Sequence, residues 1–322
     1  MRYYLAPMEG ITGWVYRQVQ HECFPAFDKY FTPFLVPRQK KVFHAKEIRD
    51  ILPENNEGMT LVPQLLTNRA EDFIRGARLL AGYGYHEVNL NLGCPSGTVV
   101  SRGRGAGFLA SPQLLKAFLD EVFAAFPDPA GKPDGMAISI KTRLGMEDAE
   151  EFVPLIELYR QYPLKELIVH PRVREDYYGN RPDWEAFAGA LPNTPFPVIY
   201  NGDLFAVSDL TRFRERFADV GTVMLGRGAV ADPSLLRQMK GGTSYTRKEL
   251  QHFLDRLAEA YGQVLSGERD VLFKLKELWF YLGQRFPEGK AELKRIRKSQ
   301  HLSEYQAAVR SLLLTMEGGG LC

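Results

Sequence analysis

The sequence predicts an α/β fold, a (β/α)8 TIM barrel followed by a small all-α helical bundle. Three observations carry that prediction. Short apolar runs alternate with longer amphipathic ones as far as the Gly241-Gly242-Thr243-Ser244 stretch. Eight β-then-α units in about 240 residues fit the arithmetic of a closed parallel barrel. Beyond that stretch, which reads as a hinge or linker, only helical periodicity remains. A doubly wound open sheet is the runner-up, but no Gly-x-Gly-x-x-Gly follows the first strand, where a dinucleotide fold would place it.

In chain order, strands are expected at Tyr3–Ala6, Phe27–Phe31, Leu61–Leu65, Glu87–Asn91, Ala137–Lys141, Glu166–Val169, Val198–Tyr200 and Thr222–Leu225. Each is a short apolar or β-branched run of the kind a strand buried on both faces requires. Helical patterns lie between most of them, at Arg69–Ala81, Gln113–Phe126, Glu150–Tyr162 and Val207–Phe217. Asn68, Ser111-Pro112 and Ser208 stand where caps or first-turn residues would start three of these. The later helices are expected at Lys248–Leu265, Val271–Arg285, Glu288–Lys298 and Ser303–Glu317, with apolar residues at three-to-four spacing. The domain boundary therefore falls between 1–242 and 243–322. The tail Gly318-Gly319-Gly320-Leu321-Cys322 is expected to fray.

Bulk properties exclude several classes. Hydrophobic residues make up 45% and charged residues 25%, which suits a soluble globular chain. Three well-separated cysteines (Cys23, Cys94 and Cys322) suggest no disulfide framework. Without C-x-x-C or paired His/Cys spacing no metal site is expected. The amino terminus lacks an apolar signal region and no stretch is long enough to span a bilayer, so a cytoplasmic, membrane-free protein is expected. A monomer is expected as well, although no sequence feature speaks to oligomeric state. The net charge of +2 is too small to announce nucleic-acid binding. Its distribution says more: from Tyr245 onward 13 Lys/Arg stand against 10 Asp/Glu, while the preceding part has 28 against 29. Lys290, Lys294, Arg297 and Lys298 share one helical face, which by charge alone reads as a solvated surface ahead of a binding face.

In a barrel of this kind the chemistry sits at the carboxyl ends of the strands. Those ends carry Ala6-Pro7-Met8-Glu9-Gly10, Gln64, Asn91-Leu92-Gly93-Cys94, Lys141-Thr142-Arg143, His170-Pro171-Arg172, Asn201-Gly202-Asp203 and Gly226-Arg227-Gly228. Singly, each has a structural alternative: Cys94 as a small core hydrophobe, Lys141 snorkelling, His170 a satisfied core histidine. Together, seven polar strand ends are hard to explain as packing. Glycines after the last two strands let backbone N–H groups approach a phosphate, and Arg227 adds a charged donor. A phosphate site, a lysine and a histidine point to a flat, phosphorylated, electron-accepting cofactor, FMN, whose reduced anionic form a nearby cation stabilises.

These motifs resemble the dihydrouridine synthase family, flavoenzymes that reduce specific uridines in RNA. The matching residues are Ala6-Pro7-Met8 with Gly10, Gln64, Asn91-x-Gly93-Cys94-Pro95-Ser96 followed by Gly103-x-Gly105-Ala106, Lys141-x-Arg143-Leu144-Gly145, His170-x-Arg172, Asn201-Gly202-Asp203 and Gly226-Arg227-Gly228. They run in the family's order from the first barrel strand to the last. The resemblance implies FMN held by Pro7, Met8, Gln64, Lys141, His170, Asn201, Gly202, Asp203, Gly226 and Arg227, with NADPH as reductant. It implies hydride transfer from the flavin to uracil C6 and a proton from Cys94 to C5. Asn91, Arg143 and Arg172 would face the substrate, tRNA before rRNA, and Lys294 and Arg297 would meet RNA phosphates. The glycine-rich run 97–107, with Arg102 and Arg104, is expected to be a surface loop that closes as a lid over the flipped base.

The chain departs from the family's pattern at Pro171, where many relatives have glycine, and at Gly97, where many have lysine. Two rivals stay open at this point. One is an FMN barrel acting on a free pyrimidine, in the manner of a dihydroorotate dehydrogenase. The other is a catalytically silent RNA-binding barrel. Neither the uridine reduced nor a preference for NADPH over NADH is legible.

Overall fold

The computed structural model describes residues 1–127 and 135–317; the tail with Cys322 lies outside the described residues. The chain forms two compact units. The first comprises Met1–Pro7, Asp28–Asp203 and Arg216–Leu225, and the second Met8–Phe27, Leu204–Glu215 and Gly226–Cys322.

All the strands belong to the first unit. They are β1 (Arg2–Leu5), β2 (Lys29–Phe31), β3 (Leu61–Val62), β4 (Gln64–Leu65), β5 (Glu87–Leu92), β6 (Ala137–Thr142), β7 (Leu167–Val169), β8 (Val198–Tyr200) and β9 (Thr222–Leu225). They pair in parallel in the order β3-β2-β1-β9-β8-β7-β6-β5-β4. The two ends of that order flank one residue, Pro63. Proline has no N–H to give a ladder, so one strand divides into β3 and β4. Its carbonyl still accepts from Asn89 N at 2.9 Å, and the ring closes there as an eight-stranded barrel.

The barrel interior explains the apolar runs. Tyr4, Ala6, Phe31, Val62, Ile168, Ile199 and Met224 form its core cluster. At the strands' amino ends Lys29 Nζ lies 2.7 Å from Glu87 Oε2 and 3.0 Å from Glu166 Oε1, and Tyr4 Oη donates to Glu166 at 3.0 Å. Burial, with the charge of Glu87, raises the Glu166 pKa. Toward the other end the filling becomes polar: Gln64 Nε2 donates to Asn89 Oδ1 (2.8 Å), and Asn89 Nδ2 to Ser139 Oγ (3.0 Å). All three side chains are fully buried, so the layer must satisfy its own hydrogen bonds.

Helix starts differ from expectation. The Ala70–Gly82 helix begins after Arg69 without a side-chain cap, and Asn68 Nδ2 instead donates to Arg102 O at 3.1 Å. Ser111 precedes the Pro112–Ala125 helix but caps it with no side-chain bond; proline at the first position does that work. At Val207–Arg216 the start is held by Asp209, not Ser208: its carboxylate accepts from Phe205 N and Ala206 N, both at 2.9 Å.

The second unit is helical. Its longest helix, Arg247–Val264, opens on a capping box in which Thr246 and Glu249 exchange backbone bonds. Phe253 of that helix meets Tyr16 and Phe24 edge-on, and Trp279 Nε1 donates to Tyr305 Oη at 2.9 Å. The expected hinge is tied down rather than loose. Arg237 donates to Thr243 O (2.9 Å) and Ser244 O (3.0 Å), and Ser234 Oγ accepts from Tyr245 N (3.0 Å).

Candidate active site

Cys94 follows β5 in a turn fixed from three sides. Asn91, at the end of the same strand, accepts from Gly93 N (3.0 Å) and Cys94 N (2.9 Å) through Oδ1. Its Nδ2 donates to Gln64 Oε1 at 2.7 Å, which joins the turn to the polar layer of the barrel. From the next strand end, Arg143 Nε donates to Gly93 O at 2.9 Å. The rest of that guanidinium reaches Val173 O (2.8 Å) and Tyr177 O (2.7 Å), and the side chain is fully buried. The third hold is Ala106 N, which donates to Cys94 O at 3.0 Å. Gly105 makes that approach possible: its φ is +57°, and a Cβ there would lie 2.8 Å from Cys94 O.

Register places Lys141 opposite Asn91 on the β5–β6 pair. Lys141 is partly buried and, among the described residues, has no hydrogen-bond or ion-pair partner. Burial first, and the charge of Arg143 second, pull its pKa down to about 7; a negative charge on Cys94 would act in the opposite direction.

The next strand ends continue the ring. His170 N donates to Thr142 O at 2.9 Å. Arg172 Nη1 lies 3.0 Å from His170 Nε2, and the guanidinium forks onto Asp203 at 3.1 and 2.6 Å. A guanidinium only donates, so Nε2 must carry the lone pair and Nδ1 the proton of a neutral imidazole. After β8, Asn201 Nδ2 donates to Met224 O at 2.8 Å. Gly202 sits against Tyr200: a Cβ would meet the phenol oxygen at 2.0 Å, so no side chain fits. Pro7 follows Ala6, whose N–H closes onto Leu225 O at 2.8 Å.

The first unit thus brings together Gln64, Asn91, Cys94, Lys141, Arg143, His170, Arg172, Asn201, Gly202 and Asp203 on consecutive strand ends. Met8, Gly226 and Arg227 fall in the second unit. There Met8 O accepts from Ile11 N and Thr12 N, and Gly226 precedes the short Arg227–Ala231 helix. The Arg227 guanidinium lies 5.4 Å from the centre of the Phe205 ring. Also in that unit, Lys294 and Arg297 are exposed on the Lys290–Lys298 helix, of which only Ile296 is buried.

Two residues escaped sequence reasoning. The Tyr178 ring stands 5.9 Å from the His170 ring and 5.4 Å from the Arg143 guanidinium carbon, and is half exposed. Beside it Tyr177 adopts φ +47°, a left-handed conformation costly for a bulky side chain, held by the Arg143 bond to its carbonyl. The signal was present as two adjacent tyrosines ahead of Gly179, but adjacency did not say which residues they would meet.

The 97–107 run is not a plain loop. It holds a short helix, Gly97–Val100, and a 3-10 turn, Gly105–Ala110, whose Ala106, Phe108 and Leu109 are buried. Only its first part, through Arg102, is mostly exposed. Gly97 faces open space, so the lysine of relatives would fit there without rearrangement.

Comparison with known proteins places this geometry. The dihydrouridine synthase family model matches residues 4–305. A tRNA-dihydrouridine(16) synthase of Cupriavidus necator is 29% identical over 326 residues, covering 97% of each chain. One of Ralstonia nicotianae is 32% identical over 246 residues, 74% of this chain and 73% of its own. Among solved structures, morphinone reductase in complex with tetrahydroNAD aligns with a TM-score of 0.51 at 15% identity, over 76% of this chain and 88% of its own. A 2-naphthoyl-CoA reductase complex aligns at 0.53 and 10%, over 75% and 50%. These structural likenesses concern the barrel fold alone. Matched along nearly all of its length, and carrying the thiol, lysine and histidine at successive strand ends, the chain belongs to the dihydrouridine synthase family, a family of enzymes.

Proposed function

We propose that this protein reduces a uridine of tRNA to 5,6-dihydrouridine, with Cys94 as the proton donor, and that the uridine is position 16. The position comes from the relatives that align along most or all of this chain, which are tRNA-dihydrouridine(16) synthases. The observation that carries the chemistry is the rigid Cys94 turn beside a lysine without a hydrogen-bond or ion-pair partner among the described residues.

The cofactor reading is FMN, and the residues present fit it. Burial without an anion among the described residues pulls the Lys141 pKa to about 7, and a reduced flavin's negative charge would hold the lysine protonated. Gln64, His170, Asn201, Gly202 and Asp203 would hold the group with it. When bound, FMN would take hydride from NADPH and supply it to uracil C6. The remaining chemistry belongs to the chain. The Cys94 Sγ–H bond breaks, its proton goes to C5, and the electron pair stays on sulfur as a thiolate. The interaction that raises the Lys141 pKa when Cys94 is charged equally stabilises that thiolate. The target base has to leave the RNA stack to reach a site at the barrel's strand ends.

RNA phosphates supply most of the affinity in such complexes, and the region 243–322 offers Lys294 and Arg297 as exposed contacts. Such an enzyme works in the cytoplasm as a monomer. A Cys94→Ala variant tests the assignment: it should retain its flavin and be bleached by NADPH at the wild-type rate, while tRNA turnover collapses. Normal tRNA turnover by that variant would refute the acid role. Loss of dihydrouridine at a position other than 16 in a deletion strain would refute the position.

A further inference from the structure

A cleft of about 590 Å³ opens in the first unit, and none of the strand-end residues assigned above lines it. Four arginines line it (Arg38, Arg69, Arg102 and Arg104) against one acid, Asp72. Asp72 is already engaged by Arg75 and, at 3.6 Å, by Arg69; Arg38 is paired with Glu47 at 2.6 Å. Arg102 and Arg104 have no carboxylate partner among the described residues, and the buried Arg104 Nε has no hydrogen-bond partner at all. Concentrated positive charge of this kind is costly unless an anion shares the space. Phe34 is partly exposed on the wall, a flat apolar face beside the guanidinium groups.

The cleft is also close to the proposed acid. A Cβ on Gly105 would lie 2.9 Å from Val99 Cγ1 and 3.0 Å from Cys94 Cβ, so the cleft wall at Val99 comes within about 6 Å of the Cys94 side chain. That is roughly the span of one nucleotide along a single strand, counted at 3.4 Å per stacked base plus the splay of a flipped neighbour.

We propose that this cleft holds a phosphodiester of the RNA strand immediately next to the reduced uridine, with Arg102 and Arg104 on the phosphate and Phe34 against the adjoining base. The inference rests on the proposed tRNA substrate and adds a binding site for it in the barrel unit. Arginine fits the task because its planar fork matches phosphate oxygens and its face stacks on aromatic groups. The same phosphate chemistry could come from the 2′-phosphate of NADPH, and the test separates the two sources.

The experiment uses flavin-loaded protein, purified tRNA and NADPH, with Arg102→Gln and Arg104→Gln as separate variants. Tm is measured for each; Arg102 is exposed, so its variant keeps the test open if Arg104→Gln is unstable. In filter binding across a salt series, each variant should weaken tRNA affinity severalfold. Each should also lower the slope of log K against log salt by about 0.7–0.9, the value for one lost phosphate contact. The rate and NADPH concentration dependence of flavin bleaching should stay at wild-type values. An unchanged tRNA slope overturns the proposal, and if the half-saturating NADPH concentration rises instead, the cleft serves the dinucleotide. Wild-type protein that binds no tRNA would overturn the substrate reading itself, a result distinct from wild-type binding that the variants leave untouched.

Discussion

Replacing Asn91 separates two roles that a strand-end asparagine can play. The side chain accepts from two backbone amides of the Cys94 turn and donates to Gln64 Oε1. Alanine removes three hydrogen bonds, each worth about 0.5–1.5 kcal/mol net. The amides of Gly93 and Cys94 are partly exposed and can recruit water, so their loss falls at the low end. Gln64 is fully buried, and its orphaned oxygen carries a desolvation cost of about 1–3 kcal/mol. Asn91→Ala should therefore lose about 2–4 kcal/mol in urea denaturation, with tRNA turnover down by at least tenfold and flavin bleaching by NADPH unchanged. Asn91→Asp keeps both acceptor bonds to the turn but replaces the donor to Gln64 with a buried carboxylate oxygen facing Gln64 Oε1. It should lose stability but keep most of the turnover. If aspartate proves as inactive as alanine at equal folding, the asparagine N–H, not the turn, is what the reaction needs.

Two further outcomes follow from neighbouring residues. Arg143→Ala removes a buried guanidinium that holds three backbone carbonyls, and should cost about 3–5 kcal/mol in the same denaturation assay; a loss below about 1 kcal/mol would show the clamp to be dispensable. Lys141 has a folded pKa of about 7, below its ordinary value of 10.5. The cost of holding it charged is fully present below about pH 7 and is relieved as the pH rises from there toward 10.5. In flavin-free protein the stability of wild type relative to Lys141→Met should thus rise across that window. A difference that stays flat from pH 7 to 10 would refute the shift.

Much of the barrel was legible because strands buried on both faces must be apolar throughout, and runs such as Val198–Tyr200 and Thr222–Leu225 match the observed strands end to end. The divided strand was not, since proline's missing donor matters only once its neighbours are known. Short helices were missed where they carry little periodicity, as at Ala45–Ile51 and Trp184–Ala190. Caps failed for a different reason: Asn68 has the right chemistry for a helix start but a better partner in Arg102 O. At the site, residue types and order announced the ring of strand ends, because thiol, lysine and histidine in succession have few packing explanations. Their division of labour was hidden. Nothing in Arg143 as a letter says that three of its donors meet backbone carbonyls.

That division bears on how the site could close. Cys94 is held by Asn91 through its N–H, by Ala106 through its carbonyl, and by Arg143 through the carbonyl before it. Gly105 lies so close to the Cys94 backbone that the two segments cannot part without breaking the Ala106 bond and refilling the space. A lid that carries the thiol itself across the site would have to break all three holds. Less firmly held is the mostly exposed stretch 97–102: Val99 O and Val100 O accept from Arg104 N (3.3 Å) and Gly103 N (2.8 Å), but its exposed end is tied outward by Asn68 Nδ2 to Arg102 O. That outer tie is one exposed hydrogen bond, about 1 kcal/mol, against several bonds for the turn. Closure on RNA would therefore swing Arg102 while the thiol stays in place. On the proposed function the thiol is a fixed point, and the base is what would have to be brought to it.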